Sequence, residues 1–275
     1  MSTLRQIFHD RWSKVLLVVF VIMLLTSLVV NILNLRETTF NHIVSLILAI
    51  IPNIGFVVGL IRSRQWGGRK TAVGRSLLFL SLGLLSWAVG SYIWSYYNFF
   101  LNTEIPYPSW ADVGYGQFAW LMGIGLIMLA NFTSLQTEAS NAKSKIYFFC
   151  IPILMAIVTY YFLFVQLHGA SIWQSDEPLK VFVDLYYPLT DVLILTIIVL
   201  TSGLAFNFLG ERLRLPITLL ICGLVFNYIA DFYFSYSTTV GSYYVGGPAD
   251  VLFGCAMFVL SLGVSNLHPR LLEDK

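Results

Sequence analysis

Ala111-Asp112-Val113-Gly114-Tyr115-Gly116 and, 138 residues further on, Ala249-Asp250-Val251-Leu252-Phe253-Gly254 are two versions of one phrase. Working outward, the same offset aligns Gly125 with Gly263. Upstream, across a loop two residues shorter in the second version, an offset of 140 aligns Gly83 with Gly223, Ser95 with Ser235 and Tyr96 with Tyr236. Residues 77–126 and 217–264 therefore read as two copies of one unit, each set in strongly apolar sequence. The expected fold is a duplicated membrane bundle.

Composition supports that class. Of 275 residues, 57% are hydrophobic and 11% charged, and mean hydropathy is +0.77. Soluble domains carry roughly a quarter charged residues. Runs long enough to cross about 30 Å of hydrocarbon fall near 14–34, 40–62, 74–96, 112–132, 146–167, 181–206, 214–236 and 249–266. The first follows Arg5, Arg11 and Lys14 but is long for a signal core and lacks a small-residue cleavage pattern, so it reads as an uncleaved span. The expectation is an all-α integral membrane protein of eight transmembrane helices in two tandem four-helix repeats, residues 1–135 and 136–275, with no soluble domain. Four spans per copy is an even number, which relates the halves by a pseudo-two-fold axis along the membrane normal.

Basic residues set the sidedness. Counting alternate connecting segments, one side holds 14 of the 16 Lys and Arg, while Arg36 and Lys180 fall on the other. This places both termini in the cytoplasm and the protein in a plasma (inner) membrane, with the lipid bilayer as its first partner. The net charge of +2 is this topological bias and not a nucleic-acid footprint. Cys150, Cys222 and Cys255 fall within spans without metal-ligand spacing and read as packing residues.

Ionisable groups inside spans are costly and mark candidate sites. Here they are acidic and lie in the outer half. Asp184 and Asp191 share a face of the sixth span, with Tyr187 and Pro188 between them. Asp231, Asn227 and Gly223 form a polar, small-residue stripe on the seventh. Asp112 and Asp250 open the fourth and eighth spans. In Pro108-Ser109-Trp110-Ala111-Asp112, Ser109 is placed as N-cap with Asp112 closing a capping box. In Gly247-Pro248-Ala249-Asp250, the acid sits in the first turn behind an N1 proline. Capping accounts for both, with a ligand-facing role as the alternative.

Asp191 has no capping role, so it heads the ligand-binding candidates Asp191, Asp231, Asn227, Trp87, Tyr187, Asp112 and Asp250. Trp87 lies mid-span on the face of Gly83, Ser91 and Ser95, and corresponds to Asn227 in the second copy. Most other aromatic residues fit an interfacial belt. Gly116, Ala119, Gly123, Gly254 and Ser261 read as close-packing positions. The four histidines are not paired for haem or metal, and no hydrolase, phosphate-loop, voltage-sensor or retinal-lysine pattern is present, so no cofactor, metal or catalytic residue is assigned.

The third-span Trp, Pro108–Tyr115, Tyr187-Pro188-Leu189-Thr190-Asp191, Asn227–Asp231, Gly247–Asp250 and Asn266-Leu267-His268-Pro269 together resemble the eight-span membrane sensory modules at the N-terminus of bacterial diguanylate cyclases and related signalling proteins. The resemblance covers most of the chain through short motifs. It implies a receptor that passes a signal to a cytoplasmic output. That family attaches its catalytic domain just beyond the last span, whereas no cyclase, phosphodiesterase or kinase signature occurs here and the sequence ends at Lys275; enzymatic activity is not expected.

Three functions compete. One is a sensor or receptor binding a small cationic or amphipathic ligand in an outward acidic-aromatic vestibule and signalling to a cytoplasmic partner or through a homo-oligomer. Another is a transporter or channel for a small cation or proton-coupled solute. The last is a structural subunit of a larger membrane complex. The inner halves, such as Leu77–Leu85 and Val192–Leu200, are almost wholly apolar, which favours a closed-ended pocket over a through path.

Overall fold

Seven α-helices carry the fold in a computed structural model that describes residues 7–8, 10–36, 38–101, 108–134, 153–154, 156–157, 160–161, 178–205 and 211–269. They are α1 (Arg11–Ile32), α2 (His42–Gln65), α3 (Ala72–Tyr96), α4 (Ala111–Ser134), α5 (Pro178–Ala205), α6 (Glu211–Thr239) and α7 (Pro248–Asn266). No strand occurs among the described residues. Among the described residues, six helices, α1 to α4, α6 and α7, are long and apolar enough to cross a membrane. The 28-residue α5 coincides with the expected sixth span, and the fifth, near 146–167, lies almost wholly outside the described residues.

Local chemistry sets the helix starts. Thr71 caps α3, its hydroxyl accepting from the Gly74 amide at 3.1 Å, after a turn in which Gly67 has φ +89°. Ser109 and Asp112 close the capping box of α4: the Ala111 amide donates to Ser109 Oγ at 3.2 Å and the Ser109 amide to Asp112 Oδ2 at 2.6 Å. A π-helical turn, Tyr97–Leu101, prolongs α3 into what the sequence reads as loop. Likewise α6 runs to Thr239, beyond the expected span end at 236, so Asp231 lies about two turns inside its end.

The helices pack in sequence, α1 on α2, α2 on α3, α3 on α4, α4 on α5, α5 on α6 and α6 on α7, and α7 returns against α1 and α2. In the most hydrophobic window of each helix, α7 is 67% buried and α1 22%. The last helix is thus central and the first peripheral. Leu16, Met23 and Val30 of α1 face inward while Val18, Val21, Ile22, Leu25 and Leu28 face outward, as for a lipid-bathed helix. Cys222 on α6 is exposed, which corrects its reading as a packing residue. Cys255 is half-buried, and Cys150 lies outside the described residues.

Lipid gives apolar side chains little reason to leave it for another helix, so close fit and hydrogen bonds hold such bundles together. Two glycines one turn apart, Gly55 and Gly59, bring α2 into the cleft between α3 and α7. A Cβ on Gly55 would strike Ser261 and Leu84, and one on Gly59 would strike Ser81 and Val264. The α3–α4 and α6–α7 pairs then show matching approaches. Gly83 lies against Met122 and Gly125 against Leu80; Gly223 lies against Leu260 and Gly263 against Leu220. Each residue of the second pair sits at the offset read from the sequence. Gly114, against the Gly90 backbone, and Gly254, against Met23, are tighter still, the latter as expected from the sequence, whereas a Cβ on Gly116 would meet only the Tyr186 ring, at 3.3 Å.

One end of the bundle is basic, with Arg62 and Arg64 in the last turn of α2 and Arg69 and Lys70 in the connection to α3. There a polar tie joins three helices. Arg62 Nη2 pairs with Asp10 Oδ2 at 2.7 Å, Arg62 Nε donates to the Ser265 carbonyl at 2.8 Å, and Ser265 Oγ donates to the same Asp10 oxygen at 3.2 Å. Trp66 Nε1 adds a bond to the Leu267 carbonyl at 3.2 Å. At the opposite end, Ser27 Oγ donates to the Gly246 carbonyl at 2.7 Å, Tyr244 donates to Asn31, and the Arg36 guanidinium lies 4.3 Å from the centre of the Tyr244 ring.

Candidate functional site

The candidate residues gather toward the end opposite the arginines, around α4, α5, α6 and α7. Asp112 and Asp250 sit in the first turns of α4 and α7, where amide groups point outward and favour an acid. Both carboxylates are engaged as caps. Asp112 also accepts from the Tyr187 hydroxyl of α5 at 2.6 Å. Asp250, 5% exposed, accepts from the Gly246 amide at 2.7 Å and from the Tyr243 hydroxyl at 3.2 Å. Burial, and then the charge of Asp250, hold the Tyr243 phenol protonated well above its ordinary range, so it serves as the donor.

Deeper in the bundle, α5 and α6 bring three polar side chains together. Asp191 is 8% exposed and Asn227 is 5% exposed. Asn227 Nδ2 donates to Asp231 Oδ2 at 2.5 Å one turn along α6. Asp191 and Asp231 lie within electrostatic reach of each other. Asn227 Oδ1 is buried without a hydrogen-bond partner, although buried polar atoms are partnered in the great majority of cases. Pro188 lies inside α5 one turn before Asp191. A proline there removes a backbone donor and loosens the local ladder. The side chain of Asp184 lies outside the described residues.

Trp87 is packed and not open to a vestibule. It is 4% exposed, with its ring centre 5.4 Å from that of Tyr115 and 5.8 Å from that of Phe253. Those two aromatics occupy the same place in the repeated phrase, 138 residues apart. Tyr115 links the candidates. Its hydroxyl lies 3.2 Å from Ser91 Oγ, within electrostatic reach of Asp112, Asp231 and Asp250. In the sequence it stands three residues after Asp112, on the same helix face, where an aromatic residue also fits an interfacial belt.

Among the described residues there is no group of three or more His, Cys, Asp or Glu suited to a metal ion. The arrangement presents lone pairs and ionisable acids with one amide donor already committed to Asp231. It suits binding of a donor-bearing or positive group. No nucleophile–base pair is assembled among these residues.

Comparison of the chain with protein-family models, with curated proteins and with solved structures finds no match in any of the three.

Proposed function

We propose that this protein is a membrane receptor module of eight spans in two tandem halves, 1–135 and 136–275, with both termini cytoplasmic. It binds a small ligand at Asp191, Asn227 and Asp231 and passes the change to a cytoplasmic partner. The reading keeps the resemblance to sensory modules of signalling proteins.

Duplication is supported by the matched glycine contacts of α3–α4 and α6–α7. It is also supported by the return contacts: α2 meets α7, and α5, its counterpart, meets α4. One observation carries the binding reading. At the offset of 140, Trp87 and Ser91 of the first half become Asn227 and Asp231 of the second, and a separate, weaker alignment of Pro52 with Pro188, at an offset of 136, sets Gly55 against Asp191. The first set is packed, its indole wedged between Tyr115 and Phe253. The second set replaces that indole by a short amide and adds two acids, with hydrogen-bonding capacity left unmet at Asn227 Oδ1. Copies diverge in this manner where one keeps a structural role and the other takes up a ligand.

Helix α7 supplies a transmission route. It carries Asp250 beside the candidate residues and ends at Ser265 within the Arg62–Asp10 tie. A small rotation of one four-helix half against the other would reset that tie.

The test is native mass spectrometry of the purified full chain, joined to spin-label distances between positions 70 and 214. A small molecule retained by the wild type and lost in a folded Asp191→Asn variant, with a distance change on its addition, is the expected result. A ligand retained in that variant, or a liposome solute flux that depends on Asp191, would overturn the receptor reading, the flux in favour of transport.

A further inference from the structure

We infer that the Asp191–Asn227–Asp231 centre is built for a small primary ammonium group, a monovalent cation that carries its own N–H donors. The inference rests on the proposed binding role of this centre and names the chemistry of its ligand.

The argument begins with donors and acceptors. Ionised carboxylates offer only lone pairs, and an asparagine offers two donors and one acceptor oxygen. Here the Asn227 amide nitrogen donates to Asp231, and Oδ1 of the same amide group is buried and unpartnered. The centre is therefore rich in acceptors. Charge points the same way. Among the described residues, the salt bridge is that of Arg62 with Asp10 at the other end of the bundle, and Arg36 is stacked on Tyr244. Asp191 is buried and lies within electrostatic reach of Asp231, and two acids so placed in a bundle are most readily accommodated by a cation.

The kind of cation follows from what each would leave undone. Calcium takes roughly six to eight oxygen ligands, more than two carboxylates and one amide oxygen provide, and the described residues form no metal-binding group of His, Cys, Asp or Glu. A quaternary ammonium would meet the charge but bring no N–H to Asn227 Oδ1. A primary ammonium has three N–H donors, one for each of Asp191, Asp231 and Asn227. Burial further selects a compact head group, since Asp191 and Asn227 are both almost fully enclosed.

The probes are methylammonium, tetramethylammonium and sodium, titrated calorimetrically into the full chain in lipid nanodiscs. Methylammonium is expected to bind, with tetramethylammonium and sodium each weaker by at least about tenfold. Asp191→Asn, which preserves shape, should weaken methylammonium by at least about tenfold. If that variant does not fold, the ranking of the three probes on the wild type decides alone. Sodium or tetramethylammonium binding as tightly as methylammonium would overturn the inference, as would no binding of methylammonium, or unchanged binding in a folded Asp191→Asn. Its failure is separable from that of the receptor reading. Methylammonium that binds without altering the 70–214 distance refutes the receptor and leaves the amine site standing. A distance change driven by tetramethylammonium alone does the reverse.

Discussion

Placing a single methyl group on Gly125, or on Gly263, tests the two matched helix pairs directly. On Gly125 a Cβ would stand 2.8 Å from Leu80 Cγ and Cδ2 and 3.0 Å from its backbone nitrogen; on Gly263 the corresponding distances to Leu220 are 2.9 Å and 3.1 Å. Ordinary carbon contacts sit near 3.5–4.0 Å, so each pair must part by several tenths of an ångström. The leucine side chain can turn aside, but the backbone nitrogen cannot. Overpacking of this kind costs about 1–3 kcal/mol, and the backbone contact puts these sites at about 2–3. Alanine's better helix propensity returns about 1 kcal/mol, leaving about 1–2 kcal/mol net for Gly125→Ala and for Gly263→Ala. The two values should agree within about 0.5 kcal/mol because the geometry is the same. Reversible SDS unfolding in mixed micelles, followed by far-UV circular dichroism, measures both. Gly116→Ala is the control: its Cβ would meet only the movable Tyr186 ring, at 3.3 Å, and its cost should be near zero. A costless change at Gly125 and Gly263, or a gap of more than about 1 kcal/mol between them, would refute the matched packing.

Other outcomes follow from the polar contacts. Arg62→Met removes one partner of a pair in which the Asp10 side chain is 24% exposed, so the usual penalty for breaking a buried ion pair shrinks to about 2–3 kcal/mol. The same unfolding assay should give a coupling of about 1–2 kcal/mol with Asp10→Asn. Tyr187→Phe leaves Asp112 its Ser109 cap but deletes the α5 contact, and should cost about 1–2 kcal/mol; a neutral result would place Tyr187 away from Asp112. Burial holds the Tyr243 phenol's pKa well above its ordinary value in the fold. The unfolded chain therefore loses that proton first, and stability should fall as pH rises beyond about 10. In Tyr243→Phe that part of the alkaline loss should disappear from melting curves.

The helices were legible because apolar runs of membrane length leave the backbone no other way to satisfy its hydrogen bonds. The capping box at Ser109–Asp112 was legible for the opposite reason, being complete within four residues. What escaped was tertiary. Arg62 reads by position as one more cytoplasmic positive charge, yet its partners Asp10 and Ser265 are 52 and 203 residues away. Gly55 and Gly59 show the small-xxx-small spacing, but nothing local says that two different helices fill the cleft they open. Trp87 was read as the wall of a vestibule because it is a large aromatic mid-span, and only its neighbours reveal that it fills the space. Asp191, Asn227 and Asp231 were legible singly, as costly residues in lipid. Their union depends on α5 lying beside α6.

The Arg62 tie also has a bearing on biogenesis. A ribosome delivers Asp10 and Arg62 to the translocon long before Ser265 emerges, so the guanidinium must wait for the carbonyl that accepts its Nε–H. The knot is drawn tight only when the final helix has entered. A chain halted short of α7 keeps an arginine whose Nε–H lacks the Ser265 carbonyl it meets in the finished bundle.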